Sequence, residues 1–381
     1  MLLSSKDDSY HSALAERLRE RMRRAGPITF CDWMRMALYD KDEGYYCRAD
    51  RQKWGRAGDY RTSPERSSLF AATFARYFAQ LHDQLGRPSE WTLVEAGAGD
   101  GRFAGRVLQT LQNSFPSVFA ATRYVIDEAS SYSRSLAREC LKPFGARVEF
   151  RKLDGVEIDP GIVFSNELLD AFPVHRVVMH EGQLREFYVT VGADDDFQWI
   201  VDAPSTSRLA DYFGQGSIHL MEGQVAEVNL ETAEWLRKVS SVIRAGYVIT
   251  VDYGANAEEL YSSALRYQGT LRSFYNHRIT ENILAGLGVQ DLTTTIDWTF
   301  VKRTGETLGL ETVEFDRQDK FLLAAGLLNQ LEVEAQRSES VADKLRLSTA
   351  AREMILPDGM AARFQVLVQK KEEVVTQTRA V

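Results

Sequence analysis

The stretch Trp91-Thr92-Leu93-Val94-Glu95-Ala96-Gly97-Ala98-Gly99-Asp100-Gly101-Arg102-Phe103 decides the fold. It opens on a short apolar run and reaches three glycines at alternate positions. It then continues into Phe103 to Leu111, where apolar residues recur at helical spacing. Strand, glycine turn and helix in that order begin a βαβ unit. The next strand is expected over Tyr124 to Asp127. Others follow over Val148 to Leu153, Ile162 to Ser165 and Tyr247 to Val251, with a helix from about Ala226 to Val242 before the last. The pattern predicts an α/β chain with a largely parallel, doubly wound, Rossmann-like sheet.

On the N-terminal side, residues 10 to 24 and 29 to 39 read as helices. Thr29 is the expected N-cap of the second, and Phe30, Trp33, Met34 and Leu38 form its apolar stripe. A glycine- and aromatic-rich loop from Gly44 to Asp59 leads to Thr62-Ser63-Pro64-Glu65, a cap with an N1 proline that opens a helix through Leu81. On the C-terminal side, Val174 to Ala203 alternates apolar and polar residues around Glu181-Gly182 and Gly192 to Asp196, which predicts an inserted antiparallel segment. Phe321 to Leu331 reads as a helix and Phe364 to Val368 as a final strand. The division expected is a helical N-terminal region over 1–88 and a catalytic domain over 89–381, with an insertion at about 174–225.

Composition bounds the function. The chain has 381 residues, 44% of them apolar and 26% charged, as in ordinary globular proteins. Net charge is −8, which disfavours a phosphate-backbone footprint, so nucleic acid is not the expected partner and a basic protein suits better. No apolar run approaches the roughly 20 residues of a spanning helix, and no membrane insertion is expected. Asp7 and Asp8 fit poorly with an acidic-poor transit peptide, so a cytoplasmic address is expected. The three cysteines, Cys31, Cys47 and Cys140, are widely spaced, and His175 and His180 fall on opposite faces of a strand-like stretch, so no metal is expected.

Chemistry concentrates at two strand ends. Glycine at 97, 99 and 101 lets the chain turn tightly and lets a ligand approach bare backbone, while the following helix start offers free N–H groups. A dinucleotide fingerprint would read G-x-G-x-x-G, but position 102 is Arg and the third glycine arrives one residue early. The spacing favours S-adenosyl-L-methionine (SAM) over NAD, against the alternative of a plain strand-to-helix turn. Asp127 and Glu128 then stand where a carboxylate would hold a ribose diol. Glu128 is the first candidate, and either acid could instead be a solvated loop residue. At the other end, Asn166, Glu167 and Asp170 follow the strand ending at Ser165. Glu167 and Asp170, three apart, would share a face if the segment were helical, or serve as a capping acid and an exposed acid.

Several ordered motifs carry a family resemblance. They are Gly58-Asp59-Tyr60-Arg61-Thr62-Ser63-Pro64-Glu65-Arg66-Ser67, Glu95 to Gly101, Asn166-Glu167-Leu168-Leu169-Asp170-Ala171-Phe172-Pro173-Val174, Asp252-Tyr253-Gly254 and Gly269-Thr270-Leu271-Arg272. Asp291-Leu292-Thr293 and Met360 to Val368 extend the match over nearly the whole chain. In these the sequence resembles the MidA family of SAM-dependent methyltransferases. It departs from the pattern at Lys152, where many relatives carry Trp, and at Arg66, Ala71 and Ala72.

The resemblance implies a class I methyltransferase fold that uses SAM. The family's mitochondrial members symmetrically dimethylate an arginine of a respiratory complex I subunit. By that resemblance the partner is a protein substrate, with a respiratory complex subunit as one candidate. The cofactor contacts expected are Glu95, Gly97, Gly99, Gly101, Glu128 and Asp154, together with a lid formed by Gly58, Thr62, Pro64 and Glu65. Glu167 is expected to orient an acceptor guanidinium, with Asp170 second and Asn166 beside them. Asp154, which could reach the adenine amino group or simply form the turn at Asp154-Gly155, is a weaker candidate, as are Asp252, Tyr253 and His277. The competing readings are a methyltransferase for a small molecule or nucleic acid, and an assembly factor that binds SAM without catalysis.

Overall fold

The computed structural model describes residues 12–48, 68–216, 218–262, 264–275, 278–280, 282–356 and 363–372. Along the chain run α1 (Ala13–Ala25), β1 (Ile28–Thr29), α2 (Phe30–Tyr39) and α3 (Ser68–Gln84). Next come β2 (Trp91–Ala96), α4 (Arg102–Ser114), α5 (Pro116–Ala121), β3 (Thr122–Asp127), α6 (Ser131–Leu141), β4 (Val148–Phe150) and β5 (Gly161–Asn166). The middle holds β6 (His175–His180), β7 (Gln183–Val191), β8 (Phe197–Asp202), α7 (Arg208–Gly216), β9 (Val225–Val228), α8 (Glu231–Val242) and β10 (Gly246–Ala255). Short strands β11 (Arg272–Tyr275), β12 (Arg278–Ile279), β13 (Asp291–Thr293) and β14 (Ile296–Asp297) follow. The chain closes with α9 (Trp298–Thr307), β15 (Glu311–Arg317), α10 (Gln318–Ala324), α11 (Leu327–Arg337), α12 (Val341–Ile355) and β16 (Phe364–Lys371).

Two compact units result, neither contiguous in sequence. One comprises Met1–Arg61, Leu169–Glu234 and Gly254–Val301; the other comprises Thr62–Leu168, Trp235–Tyr253 and Lys302–Val381. The contiguous division expected at residue 88 therefore does not coincide with them.

The second unit is built on a sheet of order β15-β16-β10-β5-β2-β3-β4. The pairs from β10 through β5, β2 and β3 to β4 are parallel, and β16 pairs antiparallel with both β10 and β15. The sheet is mixed but mostly parallel, as the alternating strands and helices predict. One cluster of rings joins helices to strands: Phe103 of α4 stacks on Phe164 of β5 with centroids 4.6 Å apart, and Phe74 of α3 meets Phe164 edge-on at 5.1 Å. Such pairs add roughly 0.5–1.5 kcal/mol each beyond their burial.

In the first unit β1, β7, β6 and β9 form an antiparallel sheet, with β8 paired to β7. Glu181 and Gly182 take φ of 51° and 70° at the β6–β7 turn, as a two-residue hairpin requires. Thr29 caps α2 as expected, its hydroxyl accepting from Asp32 N at 3.1 Å. Glu227 on β9 is buried and accepts from Thr270 N at 2.6 Å, which ties in the Gly269-to-Arg272 motif, and Arg176 Nε lies 3.4 Å from it.

Three expected elements change. The helix expected from Ala226 begins at Glu231, because Val225–Val228, with a valine at each end, is taken up as β9 against β6. The single helix expected over Phe321 to Leu331 is broken at Gly326, φ 93°, into α10 and α11. The strand from Val148 stops at Phe150, and Leu153–Gly155 is a 3-10 turn.

The tightest backbone contact sits where β10, β5 and β2 begin. A Cβ on Gly246, whose φ is 137°, would lie 1.9 Å from Gly161 O, and one on Gly161 would lie 2.0 Å from Thr92 O. Neither neighbour is a side chain that can swing aside. Gly246→Ala should therefore lower stability by roughly 2–4 kcal/mol through overpacking and backbone strain. Urea denaturation measures it, and an unchanged midpoint would mean that the strands part without cost.

Candidate active site

The parallel strands of the second unit end on one edge of their sheet, and the chain order reverses there. Strands β3 and β4 lie on one side of β2, and β5 and β10 on the other. Ligands of open α/β sheets bind at the carboxyl ends of strands at such a reversal. Glu95, Gly97, Gly99, Gly101, Glu128, Asn166 and Glu167 all sit at the ends of β2, β3 and β5 or directly after them.

The glycine loop is left-handed at each of its glycines, with φ of 72° at Gly97, 56° at Gly99 and 79° at Gly101. A Cβ at Gly97 would come 3.0 Å from Leu168 Cδ1, and one at Gly101 would come 3.0 Å from the Ala137 backbone. Larger residues would both strain this cradle and fill it.

Two acids at the end of β3 have separate tasks. Asp127 spends its carboxylate on Leu153 N, at 3.1 Å, while its carbonyl accepts from Gly97 N at 2.7 Å. Glu128 faces the glycine loop: Oε2 accepts from Gly99 N at 2.8 Å and Oε1 from Ser130 N at 2.7 Å. A carboxylate so held keeps lone pairs for further donors, such as a diol. Burial pushes both carboxyls above their ordinary value, against the backbone hydrogen bonds that each accepts.

Glu95 is fully buried near the end of β2, where Tyr124 OH donates to its Oε2 at 2.7 Å. Burial pushes its carboxyl up to about 8; the tyrosine bond opposes the rise, and Asp100 and Glu128 add to it. A buried, largely protonated acid beside a ligand-sized turn suits a cationic ligand, which would favour the carboxylate.

At the end of β5, Asn166 Nδ2 donates to Glu167 Oε1 at 3.0 Å. Asn166 Oδ1 is buried with no hydrogen-bond partner among the described residues. Glu167 has φ of 52° and its N–H donates to Val251 O at 2.9 Å. The shared helical face expected for Glu167 and Asp170 is thus corrected. Residues 167–172 form bends and turns, and the two acids belong to different units. Within the first unit Asp170 is buried, its Oδ2 accepting from Thr293 Oγ1 at 2.9 Å, and Tyr46 OH donates to Asp291 Oδ1 at 2.8 Å. That first bond ties Asp170 to the Asp291-Leu292-Thr293 motif.

The other candidates divide. Asp154 is exposed in the turn after β4, close enough to Asp127 to help raise its carboxyl. Asp252 is buried and accepts from Tyr253 N at 2.9 Å. Gly58, Thr62, Pro64, Glu65 and His277 lie outside the described residues. Sequence reasoning missed Tyr124, Ser130 and Leu168. Of these only Ser130 carried a signal, as a cap of the next helix, its Oγ accepting from Ser133 N at 3.2 Å. Among the described residues no group of three His, Cys, Asp or Glu side chains could hold a metal ion, and no helix is long and apolar enough to cross a membrane.

The site's features fit SAM: a glycine cradle, a buried acid for a cation, a carboxylate for a diol and an orphaned amide oxygen. Comparison with known proteins agrees. Residues 73–315 match the model of the Methyltransf_28 family, described as S-adenosyl-L-methionine-dependent methyltransferases. A crystal structure of a COG1565 superfamily member from Burkholderia thailandensis bound to S-adenosyl-homocysteine superposes with a TM-score of 0.85 at 30% identity, over 96% of this chain and 93% of that one. The Drosophila melanogaster homolog of protein arginine methyltransferase NDUFAF7 is 25% identical over 94% of this chain and 88% of its own length. The Homo sapiens protein of that name is 24% identical over 91% and 81%.

These names overturn the cytoplasmic address expected above, since the curated relatives are named as mitochondrial proteins. Two early acidic residues are a weak discriminator, because an address depends on a receptor-read segment and not on the fold. By its motifs, its sheet edge and these matches, the chain belongs to the SAM-dependent methyltransferases of the MidA (COG1565, Methyltransf_28) family.

Proposed function

We propose that this enzyme methylates an arginine side chain of a protein partner, and that Glu167 orients the acceptor. The observation that carries the reading is Glu167 itself, a non-glycine residue held at φ 52° at the carboxyl edge of β5, beside the strand that leads into the glycine loop. Left-handed backbone at a non-glycine residue costs about 1–3 kcal/mol and persists where surrounding structure enforces it, often at functional sites. Relatives named protein arginine methyltransferase support the same acceptor.

Bound SAM supplies a sulfonium methyl for in-line displacement, so the chain's task is placement. Gly97, Gly99 and Gly101 would admit the ligand to bare backbone, Glu128 would hold its ribose, Asp154 would reach toward its base, and Glu95 would balance its positive charge. Arginine stays protonated at neutral pH and presents a planar fork of donors. A carboxylate at Glu167 matches that fork and biases one nitrogen toward the methyl, while Asn166 fixes the carboxylate's rotamer. Asp170, whose carboxylate Thr293 holds, is a separate and weaker candidate. A respiratory complex subunit is the first partner to test. Incubation with labelled SAM and host lysate, followed by mapping of the label, should place it on an arginine; label confined to small molecules or nucleic acid would refute the reading.

Glu167→Gln keeps the shape and removes the charge. SAM affinity by calorimetry should stay within about twofold, while single-turnover transfer falls by roughly 10²-fold or more. Asp170→Asn should lose less. Equal loss of binding and transfer in Glu167→Gln would assign Glu167 to the cofactor instead.

Glu95 gives a pH signature. Without ligand, the folded protein keeps a proton on Glu95 that the unfolded chain releases between the ordinary carboxyl value of 4.5 and about 8, so the stability contributed there is lost as pH rises through that window. SAM favours the carboxylate, so its affinity should rise with pH from about 6 to 8, by at most about tenfold per unit. Glu95→Gln should flatten both profiles. A wild-type affinity indifferent to pH would remove Glu95 from the cofactor's surroundings.

A further inference from the structure

A second pocket lies at the opposite, amino-terminal edge of the same sheet. It has a volume of about 630 Å³ and is bounded by the end of α3, the approach to β2, and α5 leading into β3. The six-residue β2 separates it from the glycine loop by roughly 20 Å at about 3.3 Å per residue. We propose that this pocket binds a small organic anion, a phosphate or carboxylate head on an apolar body, independently of the cofactor.

Charge and satisfaction of polar groups point the same way. Arg76 lines the pocket, is half-buried, and has no hydrogen bond or ion pair among the described residues; its Nε packs beside Gly326, so the case rests on the unpaired guanidinium as a whole. A guanidinium presents five donors in a planar fork that matches a carboxylate or phosphate. Arg87 also lines the pocket and is neutralised by Asp83, its Nε 2.8 Å from Oδ1, so the positive charge of Arg76 remains uncompensated.

His82 supplies a second observation. Its side chain lines the pocket and is 4% exposed; Nε2 donates to Pro88 O at 3.0 Å, so Nδ1, buried with no partner among the described residues, is an acceptor, and a water placed there would donate both to it and to an anion beside it. Buried polar atoms are nearly always satisfied by protein, water or ligand. The hydroxyl of Ser117 is exposed at the rim, and Phe115 gives the wall an apolar face. A bare inorganic ion would leave that face unused, whereas an anion with an apolar body would cover it.

The test uses protein saturated with S-adenosylhomocysteine, so that added anions meet an occupied cofactor site. Inorganic phosphate, phenyl phosphate and benzoate are titrated by calorimetry, with Arg76 Nε–H followed by nitrogen-15 NMR. One aryl anion should bind saturably, at roughly millimolar affinity or better, more tightly than inorganic phosphate, and should shift the Arg76 signal. Preference for phenyl phosphate assigns a phosphate head, and preference for benzoate a carboxylate. Arg76→Gln should weaken binding by about tenfold or more. Should that variant fold poorly, Ser117→Glu at the exposed rim should repel the anion while S-adenosylhomocysteine affinity stays within about twofold. The proposal is overturned if none of the three saturates, or if binding is indifferent to both substitutions.

Discussion

Parallel pairing of β2 with β3 on one side and β5 on the other is the constraint on which the site depends. Parallel strands cannot be joined by tight turns, so each must be followed by a crossover, and all their carboxyl ends fall on one edge. The glycine loop, Glu128 and Asn166-Glu167 are distant in sequence yet share that edge for this reason alone. The ring cluster of Phe74, Phe103 and Phe164 fixes the helices against the strands and so fixes where each loop begins.

The same edge concentrates acids in poorly solvated places. Glu95, Asp127 and Glu128 are all pushed upward by burial, and each is answered by donors from the protein: Tyr124 for Glu95, Leu153 N for Asp127, Gly99 N and Ser130 N for Glu128. Buried charge is retained only where it is paired or used. In the first unit Glu227 follows the opposite course. Although burial raises it as well, Arg176 and Thr270 answer it within the scaffold, and it anchors the Gly269-to-Arg272 motif.

Much of this was legible because it rests on local chemistry. The strand, glycine turn and helix at 91–111 could be read from spacing, and Thr29 and the hairpin turn at Glu181-Gly182 from cap and turn preferences. What escaped was set by tertiary contact. Val225–Val228 looked continuous with the helix that follows until β6 offered it a partner, and Phe321 to Leu331 looked unbroken because one internal glycine does not by itself end a helix. Glu167 and Asp170 were legible as acids, but the helical face expected to join them was not formed, since Glu167 itself is left-handed and residues 167–172 run in bends and turns. Tyr124 gave no sign of its bond to Glu95, which depends on the register of two strands.

The interleaving of the two units bears on how the chain is made. Strand β16 lies between β10 and β15 yet follows both in the chain, so β10 gains this partner only after the whole stretch from 256 to 363 has emerged. Until then β10 presents an open, largely apolar edge, the kind of surface that invites pairing with another chain. High sequence separation between pairing strands also slows folding. Synthesis of this enzyme therefore leaves open, for a time, an edge that the finished sheet covers with β16.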